Sequence, residues 1–349
     1  MKRTVLIISV LIIFFFESGT AEIEPLPGFP RTFVDHPYLG TGLGGIVLAD
    51  LDSDHYQEIV FGCYNKIYVL KHDGSCYEGW PQTFGSYTPG QPSVGDIDGD
   101  GELEIAGSII MPQPNASKLF VWNPDGSIIF YKEFPNNPHL PVFYDLDADN
   151  KCELLVCNYH ESLLYIFDGN GENFDGWPRE YHPIKGSPAI GDINNDNELE
   201  IIFISDPDST NSLIQCVHID GSNCDGFPYL ITAPVGRAIA HSHSDGISLV
   251  DMDSDGYQEL LFKYSFRTED FAFINQKWIL KHNGIPMTYW PITEDGDFNF
   301  APVAADIIEG DGYEYAAGHY LGRKYLLYNS YGELLPGWPT FPPRGGPFT

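Results

Sequence analysis

The sequence predicts an all-β chain, a β-propeller of four-stranded antiparallel blades, and three observations predict it. An acidic loop returns six times, with 46, 49, 47, 59 and 55 residues between successive first aspartates. Each loop leads directly into a short apolar run, as in Ile59-Val60-Phe61 or Ile201-Ile202-Phe203. Five repeats then carry an Asp-Gly or Asn-Gly pair, and all six end on an aromatic–proline pair. A repeat of this length is one supersecondary unit that must stack on its neighbours, and four short strands fill about 45–60 residues. A β-sandwich also has turn-rich strands, but it would not return an acidic loop at fixed phase.

The loops come first in each repeat. Asp96 to Glu104 reads D-I-D-G-D-G-E-L-E, with aspartates at alternate positions and a glutamate at the ninth. Carboxylates about 5 Å apart repel by roughly 3 kcal/mol per pair at an effective dielectric near 20. A cation among them removes that penalty, and calcium suits an all-oxygen set because it tolerates irregular coordination. The expected ligands are Asp50, Asp52, Asp54 and Glu58 in the first loop, and Asp96, Asp98, Asp100 and Glu104 in the second. Asp145, Asp147, Asp149 and Glu153 form the third set, Asp192, Asn194, Asp196 and Glu200 the fourth, and Asp251, Asp253, Asp255 and Glu259 the fifth. The expectation is therefore about five Ca2+ sites. The sixth loop, Asp306 to Tyr315, has an extra residue and lacks the second aspartate, which makes it the poorest binder. In an EF-hand the last acid stands at the twelfth position; here that position falls in the apolar run, so each loop opens a strand.

The remaining elements follow from pattern. Apolar residues on consecutive positions suit a strand buried on both faces. A third strand, such as Ile67-Tyr68-Val69-Leu70, ends at the Asp-Gly or Asn-Gly pair, which favours a two-residue hairpin turn. The aromatic lies six residues past the turn glycine in five of six repeats, expected to set register, and the proline marks a sheet edge. Repeats begin near residues 46, 92, 141, 188, 247 and 302 within a propeller region 22–349. Gly28-Phe29-Pro30 looks like the end of a preceding repeat, so six blades with spare terminal strands and a seventh, incomplete blade are both open.

The acidic loop, the apolar strand and the D-G-x5-W-P ending resemble the FG-GAP/VCBS repeats of secreted bacterial proteins and the propeller of integrin α-chains. The resemblance covers about Gly28 to Pro339. It implies calcium held by the loop between a blade's first two strands, through the side chains named above and a backbone carbonyl near the seventh position. The chain departs from that pattern at His55, Asn150 and Asn197, where glycine is usual, and at Asn194, where aspartate is.

Composition narrows the function. The formal net charge of −31 argues against nucleic acid, whose binding needs clustered Lys and Arg. The five loops supply nineteen carboxylates, and five calcium ions would bring the charge to about −21. Disorder is excluded by 43% hydrophobic and 14% aromatic residues. Lys2 and Arg3, the apolar stretch Val5 to Phe16 and the small residues Gly19-Thr20-Ala21 read as a secretory signal over residues 1–21. No later segment reaches membrane-spanning length, so the mature chain is expected outside the cell or at its surface. Six cysteines allow fifteen full pairings; Cys216 and Cys224 flank a turn and could face one another, whereas Cys152 and Cys157 fall on opposite faces of one strand. Asn115-Ala116-Ser117 is a glycosylation sequon.

These readings favour a secreted binding or adhesion module with structural calcium and an extracellular protein or glycan as partner. A second is a carbohydrate-active enzyme such as a polysaccharide lyase, using Arg237 with His241 or His243 in the insertion Ile231 to Gly246. A third is a surface-layer spacer. No G-x-S-x-G, P-loop or H-E-x-x-H signature supports an enzyme.

Overall fold

The computed structural model describes Gly28 and residues 45–341, apart from 86–87, 111–116, 136–137, 139, 240–245, 269–272, 296–301, 309–311 and 320–323. The expected signal segment, Asn115 of the sequon and the histidines His241 and His243 lie outside these residues. Every described element is a strand, and no helix long and apolar enough to cross a membrane occurs among the described residues.

Six antiparallel sheets follow one another along the chain, each ordered as its strands are in sequence. The first is Ile46–Ala49, Glu58–Cys63, Lys66–Leu70 and Gln82–Thr83. The third is Val142–Tyr144, Glu153–Asn158, Leu163–Phe167 and Arg179–Glu180, and the fourth Ile184–Gly191, Glu200–Ser205, Asn211–His218 and Tyr229–Thr232. In the second sheet the first strand is split into Thr88–Pro89 and Ser93–Gly95, both paired with Glu104–Ile110, before Ser117–Trp122 and Ile128–Phe134. The fifth splits likewise, Arg237–Ile239 and Ser248–Val250 both pairing with Glu259–Thr268, followed by Phe273–Leu280 and Ile292–Asp295. The sixth comprises Val303–Ala305, Glu314–His319 and Lys324–Tyr328, with Thr340 bridged to Tyr325 where a fourth strand would lie. First strands of successive sheets touch one another in series, a propeller-like arrangement.

The apolar runs are buried on both faces, as their pattern demands. Ile201 joins the core between the third and fourth sheets, with Leu155 and Phe203, while its neighbour Ile202 joins the core between the fourth and fifth, with Leu260 and Phe262. Leu154 and Leu155 divide in the same way between two cores. Each such side chain contributes about 1.5–3 kcal/mol by leaving water. Cys157 is buried in the core between the third and fourth sheets and Cys152 packs against the one before it, so the two do face opposite ways. Cys216 and Cys224 meet across their hairpin, Sγ to Sγ 2.6 Å.

Three local expectations are corrected. The hairpin turn holds three residues: Gly74 N donates to Lys71 O and Lys71 N to Ser75 O, with only the glycine left-handed. That is a type I turn closed by a glycine bulge, since the two-residue alternative would need a left-handed Asp73 as well. The insertion Ile231 to Gly246 is in part strand, and so is the stretch from Ser265 to Gln276 later in the same repeat. Arg237–Ile239 pairs with Phe266–Thr268, and residues 265–267 pair with 273–275. The alternation Lys263, Tyr264, Ser265, Phe266, Arg267 is the period of a strand, which the focus on charged residues obscured.

The aromatic before each proline has a longer reach than its own hairpin. Trp80 is buried and its Nε1 donates to Pro124 O of the next sheet's turn at 2.8 Å. Trp177 reaches Ile219 O at 2.9 Å and Trp290 reaches Ser330 O at 3.0 Å. The glycine beside it permits this approach, because a Cβ on Gly79 would lie 1.9 Å from Asp125 O. Gly28 stands against Asp73 O in the same way, as the end of a preceding repeat should. We predict that Gly79→Ala costs more than the ~1–2 kcal/mol of its left-handed backbone alone, and that Trp177→Phe, which leaves the Ile219 carbonyl without this donor, costs about 1 kcal/mol. Denaturant melts of the two variants measure both.

Candidate metal centre

Each acidic loop is wound by two left-handed residues, at its fourth and sixth positions. These are Ser53 and His55, Gly99 and Gly101, Ala148 and Asn150, Asn195 and Asn197, Ser254 and Gly256. The winding turns backbone N–H groups inward onto the first aspartate. Asp54 N and His55 N reach Asp50 Oδ1 and Oδ2 at 3.1 and 3.0 Å. Asp149 N and Asn150 N reach Asp145 at 3.2 and 3.0 Å, and Asp255 N and Gly256 N reach Asp251 at 3.0 Å each. The residues that depart from glycine therefore keep the loop's form, His55 included.

The ninth-position glutamate closes the loop. Glu58, Glu104, Glu153, Glu200 and Glu259 are all buried. One carboxylate oxygen accepts the N–H of the loop's second residue at 2.8–2.9 Å: Leu51, Ile97, Leu146, Ile193 and Met252 respectively. That second residue is apolar and buried in every case, a feature of the D-x-D pattern that attention to the acids had passed over. Glu314 makes the same clasp to Ile307 at 2.7 Å, so the sixth repeat keeps the fastening, although its residues 309–311 lie outside those described. The other oxygen, Oε1, is buried without a hydrogen-bond partner in Glu58, Glu259 and Glu314. An unpartnered buried carboxylate oxygen is expensive, and a cation is what relieves it.

In four loops the structure brings together three of the four expected residues. Oxygens of Asp50, Asp52 and Glu58 lie within 4.8 Å of one another, as do those of Asp96, Asp98 and Glu104 and those of Asp145, Asp147 and Glu153. In the fifth loop the group is Asp251, Asp253 and Asp255. Asp54, Asp100 and Asp149 each accept a backbone N–H two residues on, at 2.8 Å. The fourth loop differs: Asn194 Nδ2 donates to Glu200 Oε1 at 3.1 Å, and Glu200 groups instead with His218 and Cys224. Two lysines were missed in the sequence. Lys71 Nζ sits 3.3 Å from Asp52, and Lys281 Nζ 2.7 Å from Asp253 and 3.3 Å from Asp255. Both stand immediately after the third strand, in K-H-D-G and K-H-N-G, where the other repeats have Asn123, Asp168, His218 and Asn329. Arg237, the basic residue of the enzymatic reading, is half-buried in the fifth sheet opposite Thr268.

The donor sets of loops one, two, three and five are all oxygen, which fits a hard divalent cation and excludes a thiolate–imidazole site there. The family model for the FG-GAP-like repeat matches residues 50–107 and 145–203, each match running from one loop's first aspartate into the strand after the next loop. The chain carries FG-GAP-like repeats in these two places. No curated protein matches it. Solved structures similar to this chain include the Dos1 propeller, at 11% identity and a TM-score of 0.45 over 80% of this chain and 65% of that one. The biofilm matrix protein Bap1 of V. cholerae is 13% identical, with a TM-score of 0.39 over 83% of this chain and 60% of that chain. The SapL1 lectin, solved with α-methyl fucoside, is 10% identical, with a TM-score of 0.39 over 86% and 96%.

Without a cation the buried glutamates resist ionisation. Burial first, and then the neighbouring aspartates, pushes Glu104, Glu153 and Glu259 from 4.5 up to about 7, against the backbone N–H each accepts. Burial raises Glu58 and Glu200 as well. A carboxyl raised in the folded state holds a proton there that the unfolded chain has released, so the cation-free fold loses stability as pH rises from about 4.5 to about 7. We predict a melting temperature in EDTA that falls between pH 5 and pH 7.5, and a flat profile in millimolar calcium. An EDTA profile that rises over this window contradicts the assignment.

Proposed function

We propose that this chain is a secreted, calcium-binding β-propeller that serves as a binding or adhesion module, with calcium in a structural role. The observation that carries the reading is the buried, unpartnered Oε1 of Glu58 and Glu259, each beside a loop of convergent aspartates. Those oxygens, with Asp50 and Asp52 or Asp251, Asp253 and Asp255, would hold the ion. Asp96, Asp98 and Glu104 would do so in the second loop and Asp145, Asp147 and Glu153 in the third. Bound there, calcium supplies the positive charge that lets the loops close with all their carboxylates ionised.

The loops follow the first strand of each sheet and carry its second strand into the core, so the cation's effect is on the scaffold. At extracellular affinities near 0.1 mM, millimolar calcium contributes about 1.4 kcal/mol per site. Four such sites, in loops one, two, three and five, would contribute about 6 kcal/mol, comparable with the whole stability of a domain. Export through the sequence-predicted signal segment would place the loops where calcium is abundant, and the exposed clefts between sheets would face an extracellular protein or glycan.

Two measurements test this. Excess EDTA should lower the melting temperature by on the order of 10 °C relative to millimolar calcium, and an unchanged melt would count against it. Asp98→Asn should remove one calcium from the stoichiometry measured by equilibrium dialysis. In contrast, Lys281→Met removes the ammonium that competes at the fifth loop and should tighten calcium there.

A further inference from the structure

A cleft recurs where one sheet's acidic loop meets the next sheet's turn, and the one between the fifth and sixth sheets is unlike the rest. Its volume is about 650 Å³, and it carries two large exposed aromatics, Tyr289 and Tyr331, at 70% and 66% exposure. The two rings stand 6.5 Å apart at 64° to each other. The clefts between sheets one and two and two and three hold the half-buried Tyr77 and Phe174, and that between four and five holds Tyr257, 37% exposed and stacked on His282.

Both tyrosines stand where other repeats use a small or turn-forming residue. Tyr289 takes the place of Gly79, Gly176, Gly226 and Gly337, and it keeps their left-handed backbone, with φ 74° against 81–88°. A bulky side chain there is strained, and such strain persists where something other than folding retains it. Tyr331 takes the place of Asp73, Asp125, Asn170, Asp220 and Asn283. In the first, second, fourth and fifth repeats that side chain caps a backbone N–H two residues on, a bond Tyr331 cannot make. Two independent departures from the repeat thus put two rings over one cleft. Neither ring is needed to bury core.

Beneath the rings lie Asp253 and Lys281, paired at 2.7 Å, with Thr288 and Ser330 on the walls. We propose that this cleft binds a neutral saccharide, the C–H face of a sugar ring lying on Tyr289 or Tyr331 and its hydroxyls meeting the wall residues and the Lys281 ammonium, which calcium in the fifth loop would free from Asp253. Tyrosine offers an apolar face with a polar rim, and the mixed donors and acceptors below match vicinal hydroxyls. A polyanionic glycan is disfavoured by a chain of net charge −31. A protein partner anchored on the rings would leave the Lys281 ammonium and the wall hydroxyls covered and unused. The inference rests on the binding-module reading and names its ligand class.

The test uses the full chain in millimolar calcium and a panel of methyl hexosides, methyl deoxyhexosides and N-acetylhexosamines, read by saturation-transfer NMR and titration calorimetry. The expected result is binding of at least one of these neutral sugars, weakened tenfold or more in Tyr289→Gly and in Tyr331→Asp. These variants restore what the other repeats carry, so their calcium-loaded melts should be no lower than that of the native chain. Retained affinity in both variants overturns the site while leaving the module reading intact. A native chain that binds none of the panel, or only proteins, overturns the saccharide itself, and the EDTA melt then decides the calcium reading separately.

Discussion

The bond from a buried glutamate to the N–H of a residue seven positions earlier holds each repeat together at its most charged point. It recurs six times, from Glu58–Leu51 to Glu314–Ile307, and survives even where the aspartates do not. One carboxylate oxygen is spent on the backbone, which fixes the loop's closing residue at the start of the second strand. The second oxygen is left facing the aspartates. Geometry that fastens the loop therefore also creates the electrostatic problem a cation would solve. The apolar residue between the first two acids is part of the same device, since its burial brings its own N–H within reach of the glutamate.

Each of the second to fifth sheets lies between two others, which explains why their second strands need apolar residues at consecutive positions. Ile201 and Ile202 serve different cores, as do Leu154 and Leu155. Because the cores between neighbouring sheets are shared, a loop that distorts an inner strand disturbs packing on both sides of it. This links the charge state of the loops to the stability of the array without any long-range mechanism.

Much of this was legible in the sequence because it is local and periodic. The five full loops, the doubly buried strands, the turns and the aromatic–proline pairs all announce themselves by spacing. What could not be read depends on contacts between repeats or on residues with no chemical signature. Ser53, Ala148 and Ser254 give no hint that they are left-handed. The destination of each tryptophan N–H lies 40 to 44 residues ahead, beyond any hairpin argument. Nothing in the spacing of Lys71 and Lys281 marks them as neighbours of Asp52 and Asp253, which the fold lays against them. In the long second strand of the fifth sheet Lys263, Ser265 and Arg267 interrupt the apolar run, so consecutive apolar residues do not mark its full length.

The tryptophan bonds also bear on how such a chain could change over evolutionary time. Each runs from one repeat to the same carbonyl position of the following one, whatever the identity of that residue, since only the main chain is engaged. An unequal crossover that duplicates or deletes a whole unit would therefore leave a matching acceptor at the new junction. Copy number can drift while each tryptophan-bonded seam remains chemically complete, and diversification is then confined to side chains that those seams do not use.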